Sequence, residues 1–571
     1  MCGITAFYAF SSVDNSTLSN LHKCNQEMSY RGPDDSGLWH DERVAIAHVR
    51  LSIIGVENGH QPLFNEDKSL ILTCNGEIYN YLELKEDLIK KGHCFSTESD
   101  CEVIIHLYEE YGTNFISKLD GMFAFCLYDQ KKAEIIVGRD HAGKKPLYYA
   151  VLPKGVILSS ELKAIKNHFL VNPDTNYEVI RQVQKYTYSI SRNETYIKQI
   201  EKIPDGCYAT LNLNEGLRIN RYFRRTITPS FSGSYEDAKS RTKDLIYSAV
   251  EKRLQSEVPV AILLSAGVDS STIACVAREL REEVHVITAG YKGSHDVDER
   301  AEAQKLAKEK DLIWHDVELD SRDFADSFDE ILSYLDEPNA DPAMFAQWHI
   351  YRKAKELGFT VLLGGNGADE LFYGYKKHNE YAQSLQWYDS YRKKILNTSR
   401  ISFLKNSLKL FKKDDHVTYK NYITGFSERK ADNEVESKAL LQSLPLSFES
   451  WISNLPWTYT DRLYYYLHYA WLTNNCYFLS DKLAMAHSIE VRSPFADQEL
   501  IKFIDSLPLE YKFPNQAPKQ LLKEAVKGLV PDNVLNRTKT GFTPPNDHMR
   551  YLLKEQKTTF SHYLSKRFIR K

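Results

Sequence analysis

Several features that would classify this chain at once are absent. Its nine cysteines, at positions 2, 24, 74, 94, 101, 126, 207, 275 and 476, are odd in number and include no CxxC pair. That spacing excludes zinc-ribbon and dithiol redox chemistry and points to a reducing, cytoplasmic setting. No apolar run approaches the roughly 18 residues of a membrane span; the longest, Val258 to Leu264, breaks at Ser265, so no membrane partner is expected. Lysine and arginine total 73 against 77 aspartate and glutamate, for a formal charge of −4. The basic excess of a nucleic-acid binder is missing. The start, Met1-Cys2-Gly3-Ile4-Thr5-Ala6-Phe7, is apolar without a positive leader or a cleavage site, and reads as a first strand. There is no internal repeat and no low-complexity tract.

What is present is length. A single core rarely grows past roughly 250 to 300 residues, so 571 residues of ordinary globular composition imply at least two domains. The first 220 or so alternate short apolar runs with turns: Val44–Ile46, Ile71–Cys74, Met122–Tyr128, Glu134–Val137, Pro146–Ala150 and Val156–Ser159 predict strands, with helices over Leu82–Lys91 and Cys101–Glu110. The polar stretch Thr226–Ser234 reads as a linker. Beyond it, helix Tyr235–Gln255, strand Val258–Leu264, helix Ser271–Arg281, strand Val284–Ala289 and helix Arg300–Lys310 alternate, the signature of a doubly wound parallel sheet. After Tyr375 the pattern is mostly helical. The basic stretch within 393–450 reads as a solvated surface insertion.

Cys2 carries the first chemistry. Removal of Met1 leaves a thiol and a free α-amino group on one residue, and an amine of pKa about 7.7 to 8.0 can accept the proton of a thiol near 8.5. Downstream, in order, stand Arg31-Gly32-Pro33-Asp34-Asp35-Ser36-Gly37, Arg50-Leu51-Ser52-Ile53-Ile54, Gly59-His60-Gln61-Pro62-Leu63, Asn75-Gly76-Glu77-Ile78-Tyr79-Asn80 and Ser99-Asp100-Cys101-Glu102. Gly138-Arg139-Asp140 and Gly143-Lys144-Lys145-Pro146-Leu147-Tyr148-Tyr149 follow. Together these resemble the N-terminal-nucleophile glutaminase domain of class II glutamine amidotransferases.

The residue types suit that chemistry independently. Arg50 can grip the substrate carboxylate bidentately, and Asp100 offers opposite charge to its ammonium. Asn75 has a side-chain NH2 and Gly76 an unobstructed backbone N–H, the two donors of an oxyanion hole. Taken alone, Asn75-Gly76 also spells a type I′ hairpin turn. The resemblance further implies that Leu51, Ser52, Ile53, Ile54 and Glu77 line the glutamine pocket.

The second constellation follows a strand: Ser265-Ala266-Gly267-Val268-Asp269-Ser270-Ser271 opens a helix and offers backbone N–H groups to an anion. It resembles the SGGxDS pyrophosphate loop of ATP-pyrophosphatases and is not a Walker loop. Ala266 replaces that pattern's second glycine, and would be strained if the position needs a positive φ. A second strand opens into Gly364-Gly365-Asn366-Gly367-Ala368-Asp369-Glu370. Asp269 and Asp369 can jointly hold the Mg2+ that accompanies ATP, since this hard ion takes oxygen ligands. Asp481-Lys482 through Pro494-Phe495, and Arg537-Thr538-Lys539-Thr540-Gly541-Phe542, complete the set.

Apart from the basic stretch, the whole chain resembles the glutamine-hydrolysing asparagine synthetases. That resemblance implies an α+β glutaminase domain of sandwiched antiparallel sheets over 1–223, a linker over 224–235, and over 236–571 an α/β ATP-pyrophosphatase domain with a helical C-terminal part. It implies ATP and Mg2+ as cofactors, contacts from Leu264, Ala289, Gly364 and Gly365 to the nucleotide, and Lys539 as the cation that neutralises phosphate charge. Its partners would be small molecules, glutamine, ATP and a carboxylate acceptor, without nucleic acid; the resemblance admits a homodimer.

Two departures bear on the acceptor. Asn366 stands where the family has a glutamate, associated there with forming and breaking the acyl-adenylate, and asparagine neither takes a proton nor pairs with a cation. Ala343, in Asp336-Glu337-Pro338-Asn339-Ala340-Asp341-Pro342-Ala343, stands where a serine is usual. Aspartate is the default acceptor, with another carboxylate, a sugar acid or secondary metabolite, as the alternative. An adenylating RNA-modifying enzyme and a scaffold with an inactive synthetase domain are the readings from other classes.

Overall fold

The computed structural model describes residues 2–293, 298–376, 378–380, 383, 458–537, 544–553 and 559–570. The basic stretch within 393–450 and Lys539 lie outside them.

The first half builds two six-stranded antiparallel sheets. Its strands are β1 (Cys2–Ala9), β2 (Asp35–His40), β3 (Val44–Arg50), β4 (Leu63–Phe64), β5 (Leu70–Ile78), β6 (Gly121–Asp129), β7 (Glu134–Arg139), β8 (Tyr148–Leu152), β9 (Gly155–Ser159), β10 (Glu201–Lys202), β11 (Cys207–Asn212) and β12 (Gly216–Arg221). One sheet runs β10-β8-β9-β1-β3-β2, the other β12-β11-β7-β6-β5-β4. The period of two along β1 explains why they stack: Ile4, Ala6 and Tyr8 pack with Ile71, Ala124, Cys126 and Val137 of the facing sheet. Phe7 and Ala9, on the other face, pack with Leu21 and Cys24 of the helix Asn15–Glu27. Both faces of β1 are therefore covered, which is why the chain starts on a nearly unbroken apolar run.

The second half carries a five-stranded sheet, all parallel, in the order β15-β14-β13-β16-β17, from β13 (Val260–Leu263), β14 (His285–Tyr291), β15 (Ile313–Leu319), β16 (Val361–Leu363) and β17 (Glu490–Arg492). The order reverses between β13 and β16, and ligands in such sheets bind beyond the strand carboxyl ends at this switch point. Those two ends carry Ser265–Gly267 and Gly364–Asp369.

Two expectations shift. Residues 224–234 form no helix or strand, yet they are docked rather than loose: Arg225 pairs twice with Asp505 at 2.7 Å, and the Ser230 and Phe231 N–H groups donate to the Ser506 carbonyl. A capping box between Ser234 and Asp237 then starts the helix Tyr235–Leu254. The helix expected from Ser271 begins three residues earlier, at Val268, so Asp269 and Ser270 lie in its first turn.

Buried charges join the halves. Arg31 is fully buried; its Nε donates to the Cys2 carbonyl at 3.0 Å, and its other nitrogens meet Glu161 at 2.5 Å and both Asp481 oxygens at 2.9 and 3.2 Å. Lys482, next in sequence, meets Glu161 at 3.0 Å and Asp336 at 2.6 Å. Removing one member of a buried pair leaves an uncompensated charge at a cost of about 3–5 kcal/mol. Asp481→Asn is therefore expected to lower stability by about that amount, read as a lower urea midpoint of tryptophan fluorescence. An unchanged midpoint would show that these charges are solvated in solution.

Candidate active site

The first station gathers around Cys2. β1 and β3 pair with Cys2 opposite Arg50, so nucleophile and guanidinium start from adjacent backbone positions. The Cys2 N–H donates to Asn75 Oδ1 at 3.0 Å. The other end of that amide, Asn75 Nδ2, is buried and has no hydrogen-bond partner among the described residues. A buried amide donor without an acceptor is costly unless a ligand supplies one, as a carbonyl developing negative charge would.

Asn75-Gly76 forms no hairpin turn. Both residues lie inside β5, opposite Ala124 and Phe123. A Cβ on Gly76 would come within 2.1 Å of the Met122 carbonyl oxygen, so glycine serves close backbone approach here.

Arg50 is held by main-chain carbonyls: its guanidinium donates to Ile54 at 3.2 Å, Gly55 at 2.7 Å and Val56 at 3.4 Å. The loop presenting those carbonyls is tied down from both halves. Asp34 accepts from the Ser52 N–H at 2.8 Å, and Glu257, just before β13, accepts from the Gly55 and Val56 N–H groups at 2.8 and 3.0 Å. Leu51 and Ile53 are buried, and Ser52 and Ile54 partly so.

Burial raises the Cys2 thiol above its usual range, while a backbone hydrogen bond from Leu51 favours the thiolate. Burial likewise lifts Asp100 to about 6, although its Oδ2 accepts from the Ile78 N–H at 2.6 Å. Glu77 is raised well above the carboxylate range by burial, against the pull of Arg492 3.3 Å away.

The second station lies at the switch point. Ser265 N–H and Oγ meet Ser270 Oγ at 3.0 Å, and the Gly267 N–H donates to Ser265 Oγ at 3.2 Å, which folds the loop over the N-terminus of Val268–Leu280. Ala266 is not among the positive-φ residues, so the glycine of the family pattern is not needed for backbone conformation. Leu264 donates through its N–H to Ile287 at 2.9 Å, and Ala289 is half-buried further along β14. A Cβ on Gly365 would stand 3.1 Å from that of Asp269, and Gly364 donates to the Arg492 carbonyl at 2.9 Å. Ser271 is buried in the helix.

Asp269 and Asp369 converge on one cation. Lys519 Nζ lies 2.5 Å from Asp269 Oδ2 and 2.7 Å from Asp369 Oδ1. Burial opposes its charge, but the two carboxylates more than offset this and keep the ammonium protonated. Sequence reading passed over Lys519, which stands 250 residues from Asp269 with no motif to mark it. Its backbone holds the left-handed region, φ 57°, where a non-glycine residue is strained, a feature that clusters at functional sites. An ammonium between two hard carboxylates shows that the pair accommodates a cation, and the donor set suits Mg2+. On the acceptor side, Asn366 Nδ2 donates to Ser480 Oγ at 3.0 Å, and Ala343 opens the helix Ala343–Glu356 with its N–H on Asp341 at 3.0 Å.

Two family models match the chain, a glutamine amidotransferase domain over residues 1–223 and asparagine synthase over 241–571. The chain is 30% identical to the glutamine-hydrolyzing asparagine synthetase 1 of Bacillus subtilis (strain 168), over 98% of this chain and 90% of that one. It is 28% identical to asparagine synthetase 3 of the same organism, over 96% and 88%. With the glutamine-hydrolyzing asparagine synthetase 2 of Oryza sativa subsp. japonica it shares 34% identity over 69% of this chain and 63% of that one. An orphaned amide beside Cys2 and paired carboxylates at a parallel-sheet switch point thus sit in a chain that belongs to the glutamine-hydrolysing asparagine synthetase family.

Proposed function

We propose that the chain amidates aspartate to asparagine in the cytoplasm, using ammonia from glutamine and adenylation by ATP. The observation that carries this is that Arg492 touches both stations, with its guanidinium on Glu77 and its carbonyl on Gly364.

Once Met1 is removed, the α-amine of Cys2 takes the thiol proton and the thiolate attacks the amide carbon of glutamine. Asn75 Nδ2 and the Gly76 N–H receive the oxyanion, while Arg50 and Asp100 hold the carboxylate and ammonium. Ammonia leaves and water hydrolyses the thioester. At the second station the acceptor carboxylate attacks the α-phosphorus of ATP and pyrophosphate departs. Mg2+ bound by Asp269 and Asp369 would screen the phosphate charge. Lys519, beside both carboxylates, would share the charge-neutralising role that the resemblance gives Lys539. Ammonia then displaces AMP from the acyl-adenylate.

Free ammonia is mostly protonated at neutral pH, so it should cross between the stations out of water. A cavity of about 30 Å³ at the interface, lined among others by Lys144, Tyr148, Glu337 and Asn474, has room for one small molecule. Buried polar atoms without hydrogen bonds among the described residues, His141 Nδ1, Lys144 Nζ and Tyr477 Oη, also support such a path.

Asn366 and Ala343 favour a second reading, in which a different carboxylate is the acceptor. Pyrophosphate release tests both: Cys2→Ala should abolish use of glutamine and retain use of ammonium, with aspartate the best of a panel of carboxylates. Loss of both activities would overturn the division of labour, and a better acceptor than aspartate would establish the second reading. RNA-stimulated turnover would revive the RNA-modifying alternative, and no turnover with any acceptor the scaffold.

Lys519→Met should cut pyrophosphate formation by about 10²-fold or more, the loss typical of removing one preorganised charge stabiliser, and leave glutamine hydrolysis intact. Lys539→Met, measured beside it, shows whether that lysine shares the task.

Asp100 attracts the substrate ammonium only when ionised. Because burial raises its pKa to about 6, the KM for glutamine should climb as pH falls through about 6. Asp100→Asn should show a high KM without that dependence; a retained acid limb would assign it to another group.

A further inference from the structure

Away from both stations, the described residues bring Glu66, His93 and His106 together, each offering one ligand atom within 4.8 Å of the others. They come from three separate segments. Glu66 lies in the turn between β4 and β5, His93 follows the helix Tyr81–Lys90, and His106 lies on the helix Val103–Tyr111. Exposure falls in the same order: Glu66 is exposed, His93 partly buried and His106 fully buried.

Carboxylates surround the two imidazoles. Glu109 Oε2 stands 3.1 Å from His106 Nδ1 and 3.3 Å from His93 Nδ1, and Glu110 Oε1 is 3.0 Å from His93 Nε2. Glu102 Oε1 lies 3.7 Å from His106 Nε2, an ion-pair distance too long for a hydrogen bond, and that buried nitrogen makes no hydrogen bond among the described residues. Four carboxylates thus face two rings, so even two protonated histidines leave the cluster negative. A dication binding the neutral rings supplies the same charge as two protons and gives the buried His106 Nε2 a closer partner than the Glu102 oxygen 3.7 Å away.

We propose that Glu66, His93 and His106 form a binding site for a divalent transition-metal ion of the zinc class. Two imidazoles and one carboxylate suit Zn2+ or Co2+ and are too soft a set for Mg2+. Glu109, 3.1 Å from His106 Nδ1, is placed as the carboxylate that orients a ligating imidazole through its other nitrogen. The ion would act as a brace: besides facing His106, Glu102 accepts from the backbone N–H and hydroxyl groups of Ser96 and Thr97, the loop that leads into Asp100. The inference rests on these side chains and is independent of the amidation reading.

The test is a Co2+ titration of EDTA-treated full-length protein, followed by visible d–d absorption, with excess Mg2+ present to occupy carboxylate-only sites and Zn2+ as competitor. One equivalent should bind and be displaced by Zn2+. His93→Gln and Glu66→Gln, both at positions with solvent access, should each weaken binding by at least about tenfold, and Cys2→Ala should leave it unchanged. Circular dichroism verifies that each variant is folded. Absence of a Co2+ spectrum, or binding unaltered in both the His93→Gln and Glu66→Gln proteins, would overturn the proposal.

Discussion

One buried guanidinium constrains both stations. Arg492 is fully buried at the end of β17, with Nε 2.5 Å from Glu490, one terminal nitrogen 3.3 Å from Glu77, and the other donating to the carbonyls of Arg253 at 3.0 Å and Gln255 at 2.5 Å. A charge removed from water is tolerated only when it is paired, here by ion pairs to Glu490 and Glu77 and by hydrogen bonds to two carbonyls. Those partners come from both halves of the chain, so the guanidinium cannot be satisfied unless the halves dock in one register. Arg31 works in the same way from the opposite side, holding the Cys2 carbonyl with one nitrogen and Asp481 with the others.

The consequence is that the proposed glutamine pocket is completed by residues outside the domain that bears Cys2. Glu257 caps two N–H groups of the loop whose carbonyls hold Arg50, and Arg492 stands against Glu77. The antiparallel sandwich by itself would bring Cys2, Arg50 and Asn75 together, because β1, β3 and β5 are adjacent by pairing and stacking. It would leave the carbonyl loop without its brace and Glu77 without its cation. Docking is therefore part of forming the site, which gives a physical reason for two activities to share one chain.

What could be read from sequence follows the range of the interactions involved. The strands of the sandwich were legible because burial on one or both faces imposes a period of two or an unbroken apolar run, as in β1 and β6. The parallel sheet was legible from its alternation with helices, and Cys2, Arg50, Asn75 and Asp100 stand out as candidates through motifs whose residue types suit a glutamine substrate. Asn75-Gly76 was ambiguous because glycine is used both for positive φ and for close approach, and only the neighbouring Met122 carbonyl decides which. The start of Val268–Leu280 was misplaced because small residues read as loop, whereas here they form the helix's first turn. Lys519 left no local signal and Arg492, although inside the motif Asp481–Phe495, none for its role: their partners Asp269 and Glu77 lie hundreds of residues away, and a lysine or arginine in a charged sequence resembles a solvated one until the fold surrounds it.

Why the interface uses buried charge, when apolar contacts would join two domains at lower desolvation cost, follows from what the two stations require. Replacing a buried ion pair with packed hydrocarbon is often neutral or favourable for stability, so stability alone does not account for Arg31, Glu161, Lys482, Asp336 and Arg492. Apolar surfaces tolerate sliding with modest loss, because dispersion and hydrophobic gain depend on area more than on direction. A bidentate Arg31–Asp481 contact does not slide, since a displacement of an ångström or two leaves a buried charge unpaired. Ammonia made at Cys2 has to meet an acyl-adenylate before water does, which requires a fixed alignment of the two reacting centres. A network of directional charges at the interface meets that requirement, and its cost in desolvation is the cost of a single register.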